Sequence, residues 1–342
     1  MSKGKLCTGL RGILKGMVRF TVLASGSKGN STVITGGRTR ILVDAGLSCR
    51  ELFRRMRLME EDPETLNGIL ITHEHADHVN GVAVTARKLG IPVYFTEATH
   101  RGWMRWLTPK RQMSYAEWME RMRRQAANRM LGTDPAENET ASGPTDATLT
   151  TAEVGPEPVA PEQDGNPPSR KQDPTWLPGV EFFRAGEEFS IGDLTIHPFT
   201  TPHDAADPVG FVLEAEGVRM GYATDLGYVP PNVKEQLKKL NLLLLESNHD
   251  LEMLRDGPYP WAVKQRVLSR VGHLSNDATS DFLLKDYDGG ATYVILAHLS
   301  ENNNAPELAR LAAERALEHL PSLLANRLLV ADQMLPLNSL YF

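Results

Sequence analysis

The segment GILITHEHADHVNG, residues 68–81, constrains this chain more than any other. Its apolar run, Gly68–Thr72, reads as a strand, and it delivers His73, His75, Asp77 and His78, four side chains able to bind a metal within six positions. His73 and His75 are two residues apart, so an extended or turning backbone can point both imidazoles the same way. Asp77 and His78 follow where the chain curls toward a helix expected over Val82–Leu89. One short loop can therefore serve two adjacent ions. Imidazole nitrogen and carboxylate oxygen suit zinc, manganese or iron, and the lack of thiolate argues against a purely structural zinc site. The bland alternative is a chance surface cluster of histidines, but packing gives no reason for four such residues at one strand end.

Four residues cannot complete two coordination shells, so further donors must come from other strand ends. His203 lies in FTTPHDA after the strand expected at Thr195–Phe199, Asp225 in GYATDLG after Arg219–Ala223, and His298 in VILAHLS after Tyr293–Leu296. Each is a ligand type at the C-terminal end of an apolar strand. Taken singly, each could equally be a turn or capping residue; as an ordered series after HEHADH they read as one set. Asp44 ends the early run ILVD just before Gly46, either as a turn aspartate or as a brace for the ligand loop.

Elsewhere strands and helices are mixed. Strands are expected at Val18–Ala24 and Arg40–Val43, around the Gly/Ser turn SGSKGNST, and at Ile91–Phe95, Val180–Phe183, Gly210–Glu214 and Leu242–Glu246. Helices are expected at Ser48–Met59, Ser114–Leu131, Asn232–Lys239, Pro260–Arg270, Asp277–Leu284 and Pro306–His319. Residues 134–174 form a Pro/Thr/Ala-rich tract with nine acidic and two basic residues and almost no large apolar side chain, so this piece cannot fold alone. With structured sequence on both sides, it reads as part of an insertion at about 109–178 within one domain, 17–342. Residues 1–16 read as a flexible leader.

No apolar run approaches the roughly 20 residues of a membrane span. The N-terminus lacks the h-region and cleavage site of a secretory signal, and only Cys7 and Cys49 are present, so a cytoplasmic, reducing location is expected.

The motifs ASGSKGNST, ILVDAG, THEHADHVNG, TPHDA, GYATDLG, LLLLESNHD, GHLSN and LAHLSENNN resemble the metallo-β-lactamase superfamily, and within it the YycJ/WalJ-type group associated with DNA exonuclease activity. The resemblance covers residues 17–104 and 176–342. It implies an α/β fold of the four-layer αββα sandwich type, with two divalent ions, zinc or manganese, at one edge. It also implies His73, His75 and His203 on one ion, Asp77, His78 and His298 on the other, and Asp225 bridging both. Asp44 then corresponds to the structural aspartate behind the ligand loop.

A dinuclear site of this kind would serve a lactam, a thioester or a phosphodiester. Two features favour the phosphodiester. His273, opening a helix in GHLSN, resembles the earlier histidine by which nucleases such as ribonuclease Z and RNase J contact the scissile phosphate or assist the leaving group, although it could be a plain helix-start residue. Neither cysteine stands where the β-lactamase branch usually presents one. Asp77 and His273 are the candidate catalytic residues.

The expected function is a metal-dependent phosphodiesterase or exonuclease, with nucleic acid, DNA first, as partner and no membrane. A small-molecule thioester or lactone hydrolase, or a regulatory protein retaining the metal site, stays open. The net charge of −6 looks unfavourable for nucleic acid, but the 134–174 tract carries −7 and the remainder about +1. Arg50, Arg54, Arg55 and Arg57, and then Arg101, Arg105, Lys110 and Arg111, are either solvated helix faces or part of a groove. Glu246, Asn248 and His249 are equally open between a network to His273, a groove lining, and plain strand-end polarity. Ser25–Ser31, with Lys28, reads as a hairpin turn whose amides could also face phosphate or the metal loop. His100, His197 and His319 read as surface or packing residues.

Overall fold

A computed structural model describes residues 18–108, 119, 173–318 and 327–342. The expected leader, the Ser114–Leu131 helix, nearly all of the acidic tract and His319 lie outside the described residues. Contacts divide the chain into residues 1–107 with 174–342, and residues 108–173. The first of these units carries every element described below.

Among the described residues, fourteen strands form two seven-stranded sheets. The first contains β1 (Arg19–Ala24), β2 (Ser31–Gly36), β3 (Thr39–Val43), β4 (Gly68–Leu70), β5 (Val93–Phe95), β6 (Val180–Phe182) and the C-terminal β14 (Leu340–Tyr341), in the order β14-β1-β2-β3-β4-β5-β6. The second contains β7 (Phe189–Ile191), β8 (Leu194–Thr200), β9 (Val209–Ala215), β10 (Val218–Ala223), β11 (Leu242–Glu246), β12 (Tyr293–Ala297) and β13 (Arg327–Val330), in the order β13-β12-β11-β10-β9-β8-β7. β3 to β6 run parallel to one another, as do β10 to β13. Parallel strands are covered on both faces, which explains why β11 reads LLLLE and is buried throughout instead of alternating.

Three apolar clusters make four layers. Phe20, Val22, Ile41, Leu70, Ile196, Phe211, Leu244 and Ile295 belong to the cluster between the sheets. On the first sheet's outer face, Leu23, Leu42 and Ile69 pack against α1 (Cys49–Leu58), α3 (Val82–Leu89) and Trp103 of α4 (Glu97–Leu107). On the other outer face lie α5 (Pro231–Gln236), α8 (Asn276–Lys285) and α9 (Pro306–Leu317), with Phe199, Leu243, Val294 and Leu296. The arrangement is the expected αββα sandwich. The remaining helices are the single turn α2 (Ala76–Val79), α6 (Leu251–Asp256) and α7 (Trp261–Val267). Trp103, Phe20, Phe95 and Phe211 are fully buried. Burying one such aromatic side chain stabilises the fold by about 2–3 kcal/mol.

The structure adds elements the sequence reading left as turns or loops. Ser31–Gly36 is a strand, so SGSKGNST bends only between Ala24 and Ser31, and β1 and β2 pair as a hairpin. The helix expected over Pro260–Arg270 spans only Trp261–Val267, and it buries none of its side chains.

Candidate metal centre

Register brings the donors to one edge. Ala223, Leu245 and Leu296 are partners across β10, β11 and β12, so these strands end level and Asp225, Glu246 and His298 emerge together. β8 runs in the direction of β10, because both are antiparallel to β9, and its end delivers His203 to the same edge. From the other sheet, Val43 pairs with Leu70, which sets Asp44 beside the start of the ligand loop. The Val209 amide donates to the Thr72 carbonyl at 3.1 Å and ties the two sheets together there.

The backbone turns sharply to aim these side chains. Six described non-glycine residues have positive φ, and three of them, Asp44 (58°), Asp225 (61°) and His298 (58°), lie at this edge. Left-handed backbone at a side-chain-bearing residue costs on the order of 1–3 kcal/mol and persists where the surroundings enforce it. Two glycines permit the close approach of the loop to its neighbour. A Cβ on Gly46 would lie 1.7 Å from the Asp77 carbonyl oxygen, and one on Gly81 would lie 2.0 Å from that of Leu47.

The donors expected to act together do converge. Atoms of His73, His75 and His203 lie within 4.8 Å of one another, as do those of Asp77, His78 and His298, and those of His73, His78 and Asp225. His203 Nε2 is 3.3 Å from His75 Nδ1, and His298 Nε2 is 3.4 Å from Asp77 Oδ2. Asp225 stands between the two groups, with Oδ1 3.7 Å from His203 Nε2 and Oδ2 3.5 Å from His78 Nε2. His73 Nε2 and Asp225 Oδ2 are buried without any hydrogen-bond partner. Two orphaned donor atoms at the focus of a His/Asp cluster would carry a desolvation penalty, and a divalent cation relieves it. This all-nitrogen and oxygen set fits zinc, manganese or iron.

A surrounding layer of contacts orients these candidate donors. Asp44 accepts from the Thr72 amide at 2.9 Å, from Thr72 Oγ1 at 2.9 Å and from His78 Nδ1 at 2.8 Å, so His78 turns its Nε2 inward. His203 Nδ1 lies 3.1 Å from the Gly272 carbonyl oxygen. Glu246 Oε1 lies 2.7 Å from His298 Nδ1 and 2.8 Å from His273 Nδ1, so one buried carboxylate serves two histidines. His273 Nδ1 is also 3.7 Å from Asp225 Oδ1, and its side chain remains 22% exposed at the mouth. Burial works against charge on His78, yet Asp77, Asp225 and Asp44 hold its imidazole well above the usual histidine range. His273 is likewise raised, with Glu246 outweighing burial. Glu246 itself is held down at about 2, the two histidines overcoming its burial.

Asn30, in the Gly/Ser turn, was not singled out by sequence. Its amide donates to the Asp77 carbonyl at 2.7 Å, and its Nδ2 lies 3.1 Å from Asp77 Oδ2 and 3.0 Å from His78 Nε2. That turn thus faces the ligand loop, one of the roles considered for it. A lone asparagine in a polar turn gives no signal of this. Asn248 donates to the His298 carbonyl at 2.8 Å, whereas His249 is buried with neither ring nitrogen bonded. His100 packs among Phe95, Trp103 and Phe182, and half-buried His197 sits near Glu188 and Glu214.

Comparison with known proteins bears on this edge. The model of the metallo-beta-lactamase superfamily matches residues 24–256. The chain is similar to the exodeoxyribonuclease YycJ of Bacillus anthracis, at 31% identity over 301 residues, 88% of this chain and 89% of that protein. It is similar to the exodeoxyribonuclease WalJ of Streptococcus pneumoniae strain D39 at 30% identity over 293 residues, 86% of each. Among solved structures, the metallo-beta-lactamase fold protein YhfI from Bacillus subtilis shares the fold with a TM-score of 0.56 at 12% identity, covering 94% of this chain and 99% of that one.

Proposed function

The chain belongs to the metallo-β-lactamase superfamily and its YycJ/WalJ-type group, and from that premise we propose that it is a metal-dependent phosphodiesterase that degrades DNA from an end. The observation that carries the reading is the His273–Glu246 pair, 2.8 Å apart, with the carboxylate fully buried and the imidazole partly exposed at the mouth of the donor cluster. A lactam or thioester hydrolase has no need of a second, non-ligand imidazole held at this spot. A phosphodiester leaves as an alkoxide and needs a proton. The names of the relatives, both exodeoxyribonucleases, support the same choice.

In this reading His73, His75 and His203 would hold one divalent ion and Asp77, His78 and His298 a second, with Asp225 available to either group. A zinc or manganese pair bound there would supply activated water and positive charge for a phosphate oxygen. The protein's own groups do the rest. With Nδ1 fixed by Glu246, His273 points Nε2 outward, and the Glu246 carboxylate raises its pKa and so favours the protonated imidazole. Water adds to phosphorus and its displaced proton passes to solvent, the ester P–O bond breaks, and His273 gives its proton to the departing oxygen and regains one from solvent. Asp77, whose side chain is 22% exposed beside His78 and His298, would serve as a ligand on the open side of the cluster, where the substrate enters. Asp44 and Asn30 keep the ligand loop in register.

The reading includes one domain over residues 17–342 interrupted at about 109–178, and a cytoplasmic location, with which the buried free thiol of Cys49 accords. Among the described residues no helix is long and apolar enough to cross a membrane.

The test is direct. Protein loaded with Mn²⁺ or Zn²⁺ is incubated with labelled duplex DNA, single-stranded DNA, RNA, a thioester and a lactone, beside His273→Ala. The expected result is progressive shortening of DNA, lost in the variant. Turnover of the thioester or lactone alone would overturn the reading.

A further inference from the structure

Helix α1 sorts its arginines by direction. Arg55 turns inward and is buried, with Nη1 donating to the carbonyl oxygens of Leu23 at 3.0 Å and Gln333 at 2.9 Å. It is a structural residue, not part of any groove, which corrects the grouping of four arginines made from sequence. Arg50, Arg54 and Arg57 face outward and are exposed. Their spacing of four and three residues aligns them on one face, along about 10 Å of helix.

The stripe is strongly positive. The helix itself contributes one carboxylate, Glu51, and it is shared between Arg54 and Arg55, each at 2.7 Å. Lys88 of the neighbouring α3 extends the patch, since its Nζ lies 5.1 Å from the Phe53 ring centre and the Arg57 guanidinium lies 5.7 Å from the same ring. Ser48, Arg50, Glu51, Arg54 and Arg57 line an open groove of about 670 Å³.

Its position ties it to the donor cluster. The segment before α1 is bonded to the ligand loop, with the Ala45 amide donating to the His78 carbonyl at 2.8 Å and the Gly81 amide to the Ala45 carbonyl at 2.7 Å. The helix therefore starts at the edge where the donors converge and carries the arginines away from it. Phosphates rise about 3.4 Å per nucleotide along one strand, so a stripe about 10 Å long spans roughly three of them.

We propose that Arg50, Arg54 and Arg57, continued by Lys88, form a track for the sugar–phosphate backbone of a DNA strand whose end lies at the metal centre. This inference rests on the nuclease reading above and specifies how such an enzyme would hold a long substrate. The track recognises charge, not sequence.

The test compares wild type with Arg50→Glu/Arg57→Glu, which leaves the Glu51 pairs intact, with Lys88→Glu, and with Arg315→Glu on α9 as a charge control. Binding of a labelled DNA oligonucleotide is followed by anisotropy in chelator, where cleavage stops, and hydrolysis of a small chromogenic phosphodiester is followed with metal. In the double variant Kd should rise at least about tenfold at low salt, and the slope of log K against log salt should fall by about two. Lys88→Glu should lower that slope by about one. Small-diester turnover should stay unchanged in all three variants, and DNA binding unchanged in Arg315→Glu. Unaltered DNA affinity and salt slope in the double variant, with a wild type that does bind and degrade DNA, would overturn the track alone. A wild type that turns over the small diester but neither binds nor degrades DNA would remove the nuclease reading, and the track with it.

Discussion

Asp44 Oδ2 lies 2.8 Å from His78 Nδ1, with both side chains fully buried. The pair fixes which nitrogen of His78 faces the other donors, and contacts of this kind typically govern metal affinity by 10- to 100-fold. Asp44→Asn keeps a side chain that tolerates the left-handed backbone but removes the charge. It should weaken metal binding by about that factor, measured by competition with a chromogenic chelator. Wild-type affinity in the variant would show the contact to be incidental.

Glu246 and His273 should separate kinetically from the ligands. His273→Ala should retain its full metal content and lose about 10²–10⁴-fold in kcat on DNA. Glu246→Gln perturbs both His273 and His298, so it should lose activity and some metal together. Elemental analysis beside rate measurements distinguishes the two patterns.

Gly46→Ala should fail locally. Its new Cβ would stand 1.7 Å from the Asp77 carbonyl oxygen, and the glycine cannot move without displacing the amide of Asn30 that bonds to the same oxygen. A loss of about 2–4 kcal/mol in stability is expected, together with metal affinity. Urea denaturation and metal titration check both parts, whereas a variant like wild type in both would contradict the described packing.

His249 should impose an acid limit on stability. Burial holds its pKa down at about 4, and neither ring nitrogen has a partner. The unfolded chain, with an ordinary histidine near 6.5, binds the proton more readily, so folding stability is complete above about 6.5 and declines as pH falls through 4. The contribution at stake is about 3 kcal/mol. His249→Leu should flatten this part of the stability–pH curve, read as the difference from wild type at each pH.

Removing divalent ions should unfold the protein more easily. An ion present at a hundred times its Kd stabilises the native state by about 2.7 kcal/mol, so chelation should lower Tm by on the order of 5 °C. Calorimetry with and without chelator measures it, and Asp225→Asn should make the two traces coincide.

The centre was more legible in sequence than the scaffold around it. Parallel strands buried on both faces are continuous apolar runs, so the ends that present Asp225, Glu246 and His298 stand out, as do HEHADH and the histidine of TPHDA. β7, β13 and β14 are short, and the six residues of β2, STVITG, were masked by the Gly/Ser turn before them. Glu246 was placed at the correct edge, but its bonds reach residues 27 and 52 positions away, and no local pattern encodes such a pairing. The inward turn of Arg55 had the same obstacle, since Leu23 and Gln333 are brought to it only by the fold.

Strand order distributes the donors unequally along the chain. A backbone cut anywhere between Leu107 and Pro174 would leave His73, His75, Asp77 and His78 on one fragment and His203, Asp225 and His298 on the other. Neither fragment alone owns a complete cage, so ion capture would report their reassembly, and the protein could be split into two halves that signal through their shared cation.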